Sequence, residues 1–221
     1  VTAPDKTALI AEIKKKSPSA GLIREPFDPV AIAQIYEAGG AAALSVLTDR
    51  TYFAGDLSFI AAVKQKSSLP VLRKDFILDE YQVFESRAAG ADAILLIAEI
   101  LSSEKLRSLA ELSHRLGMAT LIELHEAANL SRVLSLISPQ GRSLLGINNR
   151  DLHAQRTDLN TSLSLAKKLP PGVRFVAESG IKTRADVEAL SAAGACAILV
   201  GETLMRAEDI GAMVRELLGD P

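Results

Sequence analysis

One pattern recurs along the chain and restricts its possible folds: a helix-like segment ends in Gly-Ala and leads directly into a short aliphatic run. The pattern occurs as AGGAAALSV (38–46), AAGADAILL (88–96) and AAGACAILV (192–200). Its glycines, Gly40, Gly90 and Gly194, are 50 and 104 residues apart. These separations are close to two and four units of roughly 25 residues, a plausible length for one strand and one helix. The chain is therefore predicted to consist of repeated strand–helix units.

Eight short apolar runs mark the predicted strands, and most are continuously hydrophobic, as parallel strands buried on both faces are. The runs are ALIAEI (8–13), ALSVL (43–47), LPVLRKDF (69–76), AILLIAEI (93–100), ATLIEL (119–124), LLGIN (144–148), RFVAES (174–179) and AILVGE (197–202). Amphipathic segments between them are predicted helices. Clear examples are 28–39, 79–90, 102–117 and 183–194, which begin at a capping Asp, Ser or Thr and end at Gly.

Eight alternating strand–helix units are typical of a closed (β/α)8 TIM barrel, so residues 1–221 are interpreted as one α/β catalytic domain. The alternative is a doubly wound open sheet. It is less favoured because no G-x-G-x-x-G follows the first run, and because so regular a period favours closure. Hydrophobic residues make up 48% of the chain and charged residues 24%, which argues against a disordered protein.

Composition also excludes several functional classes. The formal net charge is -2, aromatic residues make up 4% and there is no Trp, so neither charge nor stacking surface indicates nucleic-acid binding. The longest apolar stretch, 88–101, is interrupted by Asp92 and Glu99, which argues against a membrane span. A single cysteine and a start without signal-peptide order lead us to expect a cytoplasmic protein.

Charged and amide side chains stand at the ends of five predicted strands, where the active sites of such barrels lie. Alternation along each strand places them opposite the residues that pack under the helices, so they are predicted to face the barrel mouth. For any one residue, emergence into solvent at the rim is an equally good explanation. For the whole set it is not, because buried charges without a function are seldom stabilising. The set comprises Glu12, Lys14, Lys74, Glu123, Asn148, Arg150 and Glu178.

Glycine follows both of the last two runs, in VAESGI (176–181) and ILVGET (198–203). Such turns let backbone N–H groups approach an anion, and barrels often bind phosphate there. The segment KKKSPSAGLI (14–23) is predicted to be a mobile lid carrying Ser17 and Ser19, or else a plain solvated loop. The three histidines, His114, His125 and His153, lack metal-ligand spacing, so no metal site is predicted.

Several strings together resemble the indole-3-glycerol phosphate synthase family of tryptophan biosynthesis. The resemblance covers nearly the whole chain in order, and its first, second and fourth strings are the most specific. The strings are ALIAEIKKKSPSAG, LPVLRKDFILDEYQVFESRAAGADAILLI, LIELH, LLGINNRDL, VAESGI and ILVGETLM. The resemblance implies ring closure of 1-(2-carboxyphenylamino)-1-deoxyribulose 5-phosphate with loss of CO2 and water, and no cofactor.

The resemblance also implies a role for each matching position. Lys74 matches the general acid that protonates the substrate carbonyl, and Glu123 matches the general base of the later dehydration. A lysine flanked by cations should have a depressed pKa, which would make Lys74 a better acid near neutrality. Matching positions elsewhere are Glu12, Lys14 and Asn148 for positioning and charge stabilisation, Ser17, Phe76, Arg150, Glu178 and Ser179 for substrate binding, and Lys14, Gly180, Ile181, Gly201 and Glu202 for the phosphate.

Family members usually carry a further segment before the first strand, with a helix that covers the mouth and helps to bind substrate. Here about seven residues precede that strand, so most of that extension is lacking and we expect weak or lost activity unless a partner replaces the cover. The expected ligand is a small phosphorylated molecule, without nucleic acid or membrane, and other tryptophan-pathway enzymes are possible partners.

Three other functions stay open on the residues alone. A related phosphoribosyl isomerase would use a Cys or Asp pair, whereas the first strand here offers Glu12 and Lys14. An aldolase would form a Schiff base on Lys74. A non-catalytic phosphate-binding scaffold would have no activity to lose when Lys74 is replaced.

Overall fold

The computed structural model describes residues 7–138, 141–150 and 157–220. Within these ranges, eight parallel strands close into a barrel in which each strand pairs with its neighbours in chain order and the last pairs with the first. The strands are β1 (Ala8–Ile13), β2 (Ala43–Leu47), β3 (Val71–Lys74), β4 (Ala93–Ile97), β5 (Ala119–Leu124), β6 (Ser143–Asn148), β7 (Phe175–Glu178) and β8 (Ala195–Val200). Closure confirms the predicted (β/α)8 barrel and excludes the open sheet.

Helices alternate with the strands around the outside of the barrel. They are α1 (Pro29–Ala38), α2 (Arg50–Phe53), α3 (Ser58–Lys64), α4 (Glu80–Ala88), α5 (Ser103–Arg115), α6 (Leu130–Leu134), α7 (Asn160–Ala166), α8 (Arg184–Ala192), α9 (Glu202–Arg206) and α10 (Ile210–Leu218). The four helices predicted most clearly each begin after a side chain that accepts from first-turn backbone N–H groups, as expected of caps. Those side chains belong to Asp28, Asp79, Ser102 and Thr183.

Two apolar cores hold the barrel together. The larger core lies between the strands and the helices and includes Leu9, Ile94 and Leu106. The smaller core fills the barrel interior with alternate strand residues, among them Leu72 and Val176. The same alternation carries the polar residues at the strand ends inward, because side chains two positions apart share one face.

The structure corrects several predicted boundaries. The fourth run was expected to remain extended to residue 100, but β4 ends at Ile97 and Ala98–Ile100 form a 3-10 turn. Arg132 explains the change, because its guanidinium donates to the carbonyls of Ala98 and Leu101 and so bends the chain away from the sheet. The third run was expected over 69–76, but β3 covers only Val71–Lys74. The eighth was expected over 197–202, but β8 covers Ala195–Val200.

The segment after β1 forms a short antiparallel hairpin whose two strands, Lys16–Ser17 and Gly21–Leu22, have two residues each. Ser17 is buried at 2% exposure, whereas Lys16 is exposed. The helices of the described ranges are all too short or too polar to cross a membrane.

Candidate active site

A cavity of about 980 Å³ opens at the carboxyl ends of the strands. Every site residue predicted from the sequence lines this cavity, including the seven charged and amide residues at strand ends. The predicted residues therefore lie together at one cavity, and the role of each stays a prediction. The remaining lining residues predicted from the sequence are Ser17, Phe76, Ser179, Gly180, Ile181, Gly201 and Glu202.

Lys74 lies at the centre of the charged cluster. Its Nζ atom is 2.8 Å from Oε2 of Glu123 on β5 and 3.4 Å from Oε2 of Glu178 on β7. All three side chains are at most 14% exposed. The ammonium therefore connects strands on opposite sides of the barrel interior, in a setting where electrostatic interactions are much stronger than in water.

The prediction that the pKa of Lys74 is depressed is wrong. Burial alone would lower the pKa, but the negative charges of Glu123, Glu178 and Glu12 outweigh it and hold the pKa of Lys74 above that of a free lysine. The prediction failed because the nearest charged neighbours are carboxylates. Lys14, another cation of the predicted set, is paired with Glu12 at 2.6 Å.

Glu123 receives contacts on both of its carboxylate oxygens. Besides the ammonium on Oε2, Asn148 Nδ2 donates to Oε1 at 3.1 Å, and Nε2 of His125 lies 2.9 Å from the same oxygen. Burial would raise the pKa of Glu123, but Lys74 and His125 hold it well below its ordinary value. Glu123 is therefore an ionised carboxylate with a fixed orientation.

Glu178 has the opposite environment. It is 1% exposed, and neither of its carboxylate oxygens has a hydrogen-bond partner among the described residues. Burial and the neighbouring charge of Glu123 raise the pKa of Glu178 well above its ordinary value. Its Oε1 atom lies over Gly146 of β6, where a Cβ atom would overlap the carboxylate. Glycine at position 146 therefore makes room for this second acid, which contacts Lys74 but accepts no hydrogen bond among the described residues.

Arg150 connects the loops that follow β1, β6 and β8 at the rim of the cavity. Its Nη1 atom donates to Oγ of Ser19 at 2.5 Å, and its Nη2 atom lies 3.6 Å from a carboxylate oxygen of Glu202. Glu202 also accepts from Arg206 at 2.9 Å. Burial opposes ionisation of Glu202, but Arg206, Lys14 and Arg150 hold its pKa below the ordinary value. Glu202 can therefore assist an anionic ligand only through its backbone.

The two glycine turns lie side by side because β7 and β8 are neighbours. Thr203 Oγ1 donates to the carbonyl of Ile181 at 2.6 Å and connects them. Ser179 has a φ of 67°, a left-handed conformation that is strained for any residue but glycine. Asn149, which is 1% exposed, holds this strained turn by donating to the carbonyl of Ser179 at 3.0 Å.

An aromatic wall lines the opposite side of the cavity. The ring of Phe76 lies 6.4 Å from that of Tyr52, nearly edge-on at 77°, and 6.4 Å from that of Phe53. Phe76 remains 37% exposed, so an apolar surface is available at the mouth. Together with the charged cluster, this wall suits a ligand that has both an aromatic and an anionic part.

Sequence reasoning missed several of these residues. His125 was set aside for lack of metal-ligand spacing, although its position two residues after Glu123 placed it at the same strand end. Asn149 stands beside a predicted site residue, and Lys182 adds a cavity-lining cation directly after Ile181. His153 lies outside the described residues. Within the described ranges, no three His, Cys, Asp or Glu side chains are arranged to hold a metal ion.

A closed barrel with charged side chains at the carboxyl ends of its strands is the architecture of the (β/α)8-barrel enzymes. The family model described as Indole-3-glycerol phosphate synthase matches residues 2–217. The chain therefore belongs to the indole-3-glycerol phosphate synthase family, as the sequence resemblance indicated.

Curated relatives agree with this assignment. The indole-3-glycerol phosphate synthase of Rhodopirellula baltica is 52% identical over 218 residues, which cover 99% of this chain and 83% of that protein. The enzyme of the same name from Acidithiobacillus ferrooxidans is 51% identical, with 99% of this chain and 81% of that protein covered.

Solved structures with low sequence identity show the same fold. The 3-hexulose-6-phosphate synthase of Salmonella typhimurium matches with a TM-score of 0.75 at 15% identity, covering 96% of this chain and 97% of that one. The Pyrococcus furiosus tryptophan synthase complex contains a chain that matches with a TM-score of 0.68 at 15% identity, covering 97% and 98%.

Proposed function

We propose that this chain converts 1-(2-carboxyphenylamino)-1-deoxyribulose 5-phosphate to indole-3-glycerol phosphate, CO2 and water in tryptophan biosynthesis. The observation that carries the proposal is the contact of Lys74 with two buried carboxylates beneath the cavity, in a member of this family. The cavity volume of about 980 Å³ is at the upper end of the range for small-molecule sites.

Substrate binding requires separate places for a carboxylate and a phosphate. Lys14 and Arg150 provide cations at one part of the rim. The turns at Gly180 and Gly201, with Lys182 beside them, provide backbone N–H groups and a further cation for the phosphate. The aromatic wall at Phe76 would hold the anthranilate ring, and this division orients the substrate across the mouth.

Ring closure joins the aromatic carbon that bears the carboxylate to the ketone carbon of the sugar chain. The carbonyl oxygen gains negative charge as its π bond breaks, and Lys74 donates a proton to it. Because its carboxylate neighbours keep Lys74 fully protonated, the transfer is driven by the basicity of the forming alkoxide rather than by an unusually acidic ammonium. Loss of CO2 then returns its bonding electrons to the ring and restores aromaticity.

Dehydration completes the indole. Glu123 removes the proton from the carbon next to nitrogen, and the hydroxyl group leaves as water after it accepts a proton from Lys74, which has by then been reprotonated from solvent. Glu12 and Asn148 position the reacting groups, Asn148 through its bond to Glu123. CO2 and water account for all atoms lost and no external electron acceptor is required, so the proposed sequence runs without a cofactor.

Replacement of Lys74 by methionine tests the proposal. We expect Lys74→Met to lower turnover by about 10²- to 10⁴-fold, the usual contribution of a general acid, in a continuous assay of indole fluorescence. Lys64→Met is the matched control, because Lys64 pairs with Asp92 outside the cavity at 2.8 Å. Turnover by Lys74→Met close to that of the unaltered protein would reject Lys74 as the acid.

Borohydride trapping separates this function from a Schiff-base aldolase, since a covalent adduct on Lys74 would support the aldolase. A pathway role of this kind, together with one free cysteine, Cys196, fits a cytoplasmic location. Other enzymes of tryptophan biosynthesis are the proposed partners.

A further inference from the structure

His125 lies between Glu123 and the loop that carries Arg150, and it has no role in the reaction proposed above. It follows β5 directly, and its side chain is 6% exposed. Its Nε2 atom lies 2.9 Å from Oε1 of Glu123, and its Nδ1 atom lies 2.9 Å from the backbone carbonyl oxygen of Arg150. One imidazole ring therefore connects the proposed base to the loop that carries the rim arginine.

The chemistry of the two contacts determines the protonation state of the ring. A carbonyl oxygen can only accept, so Nδ1 must carry a proton to bond to Arg150. Nε2 lies 2.9 Å from an oxygen of the ionised Glu123 in an ion contact whose direction is not that of a hydrogen bond. A bare nitrogen lone pair this close to a carboxylate oxygen would be repelled by it, so Nε2 must also carry a proton. A hydrogen-bond acceptor at one nitrogen and a carboxylate at the other therefore define an imidazolium.

Two neighbouring carboxylates, those of Glu123 and Glu99, favour the protonated form of His125. Glu123 on β5 faces Nε2, and Glu99 on the 3-10 turn after β4 accepts from the backbone nitrogen of His125 at 2.9 Å. Glu126 is the next residue along the chain and accepts nothing from the ring. The guanidinium of Arg150 is directed away, toward Ser19 and Glu202. Burial opposes protonation, yet the bonded acids and carbonyl raise the pKa of His125 above its ordinary value.

We propose that His125 is a positioning residue: an imidazolium that fixes the orientation and the negative charge of the Glu123 carboxylate and couples it to the Arg150 loop. The proposal rests on the function of Glu123 proposed above.

A buried ammonium and carboxylate 2.8 Å apart can neutralise each other by direct proton transfer from Lys74 to Glu123. That transfer would remove the acid and the base together. The cation at His125 disfavours it by stabilising the ionised form of Glu123, so the proton of Lys74 remains available for the substrate carbonyl.

Two substitutions of His125 test this role. His125→Phe keeps an aromatic ring but removes the positive charge beside Glu123 and the hydrogen bond to Arg150, and we expect it to lower kcat by about 10- to 100-fold, the size usual for loss of an interaction with a charged group. We expect KM to change by less than about threefold, because Glu123 acts in a chemical step. His125→Gln keeps a donor toward Glu123 and should recover part of kcat.

The pH profile distinguishes an electrostatic role from simple packing. In the unaltered protein, kcat should fall at alkaline pH as His125 loses its proton, and His125→Gln should lack this step. His114→Gln is the control, since His114 contacts Thr120 and Ser143 at the other end of β5. Equal kcat and pH profiles in His125→Phe and the unaltered protein would overturn the proposal, as would equal losses in His125→Phe and His125→Gln.

A nitrogen NMR titration of the unaltered protein tests the protonation state without turnover. The signals of the two ring nitrogens of His125 are assigned by comparison with His125→Gln. We expect both nitrogens to remain protonated at pH values above about 6.5, the usual pKa of histidine. A neutral ring at pH 7 would overturn the proposal even if the indole assay succeeded. Conversely, a protonated ring in a protein that forms no indole would contradict the proposed function and leave the assigned protonation intact.

Discussion

Gly146→Ala is the most direct test of how tightly the acid pair is built. A Cβ atom at this position would overlap Oε1 of Glu178 and would lie 3.2 Å from Leu121 Cδ1 and 3.3 Å from Glu123 Cα. The backbone of β5 cannot yield easily, so the Glu178 carboxylate must move by about 1 Å to restore van der Waals separation. A displacement of that size in an active site lowers turnover by about 10²-fold.

Stability should fall as well, because overpacking a filled interior typically costs about 1–3 kcal/mol. In a chain of this size each kcal/mol lowers Tm by about 2–4 °C. The assays are indole fluorescence for turnover and differential scanning calorimetry for Tm.

Gly211→Ala in α10 provides the control. Its Cβ atom would lie 3.3 Å from the Asp209 oxygen that caps α10 and 3.4 Å from the Arg215 guanidinium, so a shift of a few tenths of an ångström outside the cavity would accommodate it. We expect Gly211→Ala to leave turnover unchanged and to change stability by less than about 1 kcal/mol. Gly146→Ala should cost less stability in a Glu178→Asp background, because the shorter acid no longer reaches the added methyl group, while the close contacts with Leu121 and Glu123 remain. Wild-type turnover and Tm in Gly146→Ala would refute the close packing of Glu178 over position 146.

Two further predictions concern single charged groups. Glu178 has a folded-state pKa above its unfolded value, so the stability it contributes is fully present below the unfolded pKa of about 4.3 and is lost as the pH rises through the raised pKa. As the pH rises through that range, Glu178→Gln should therefore become more stable relative to the unaltered protein. Urea unfolding at several pH values measures this difference, and a difference in unfolding free energy that does not change with pH would contradict the raised pKa. Arg150→Lys should raise KM by about tenfold with a smaller effect on kcat, since lysine cannot reproduce a forked contact; an unchanged KM would remove Arg150 from substrate binding.

The strand–helix repeat and the inward placement of the polar strand ends could both be predicted from sequence. Glu12 and Lys14 share a face with Ile10 because side chains alternate along a strand, and a local rule of that kind needs no knowledge of distant contacts. Helix starts such as Asp28 and Asp79 were equally predictable, since a cap depends on residues within one turn.

Electrostatic partners could not be predicted in this way. Lys74 was expected among cations, yet it lies among carboxylates brought from β5 and β7, far away along the chain. The same limit hid His125, whose importance depends on meeting the carbonyl of Arg150 from the next strand–helix unit. A pKa reflects every charge within several ångströms, and sequence order does not say which charges those are.

The amino-acid order alone therefore determined the closed barrel, the end of the barrel that bears the site and the kinds of side chain found there, because periodicity and capping act over a few residues. Only the tertiary structure decided that Lys74 pairs with Glu123, that Lys14 pairs with Glu12, and that the Glu178 carboxylate lies over Gly146. These pairings depend on how eight strands are tilted and staggered when the barrel closes, and that geometry brings together residues from distant parts of the chain.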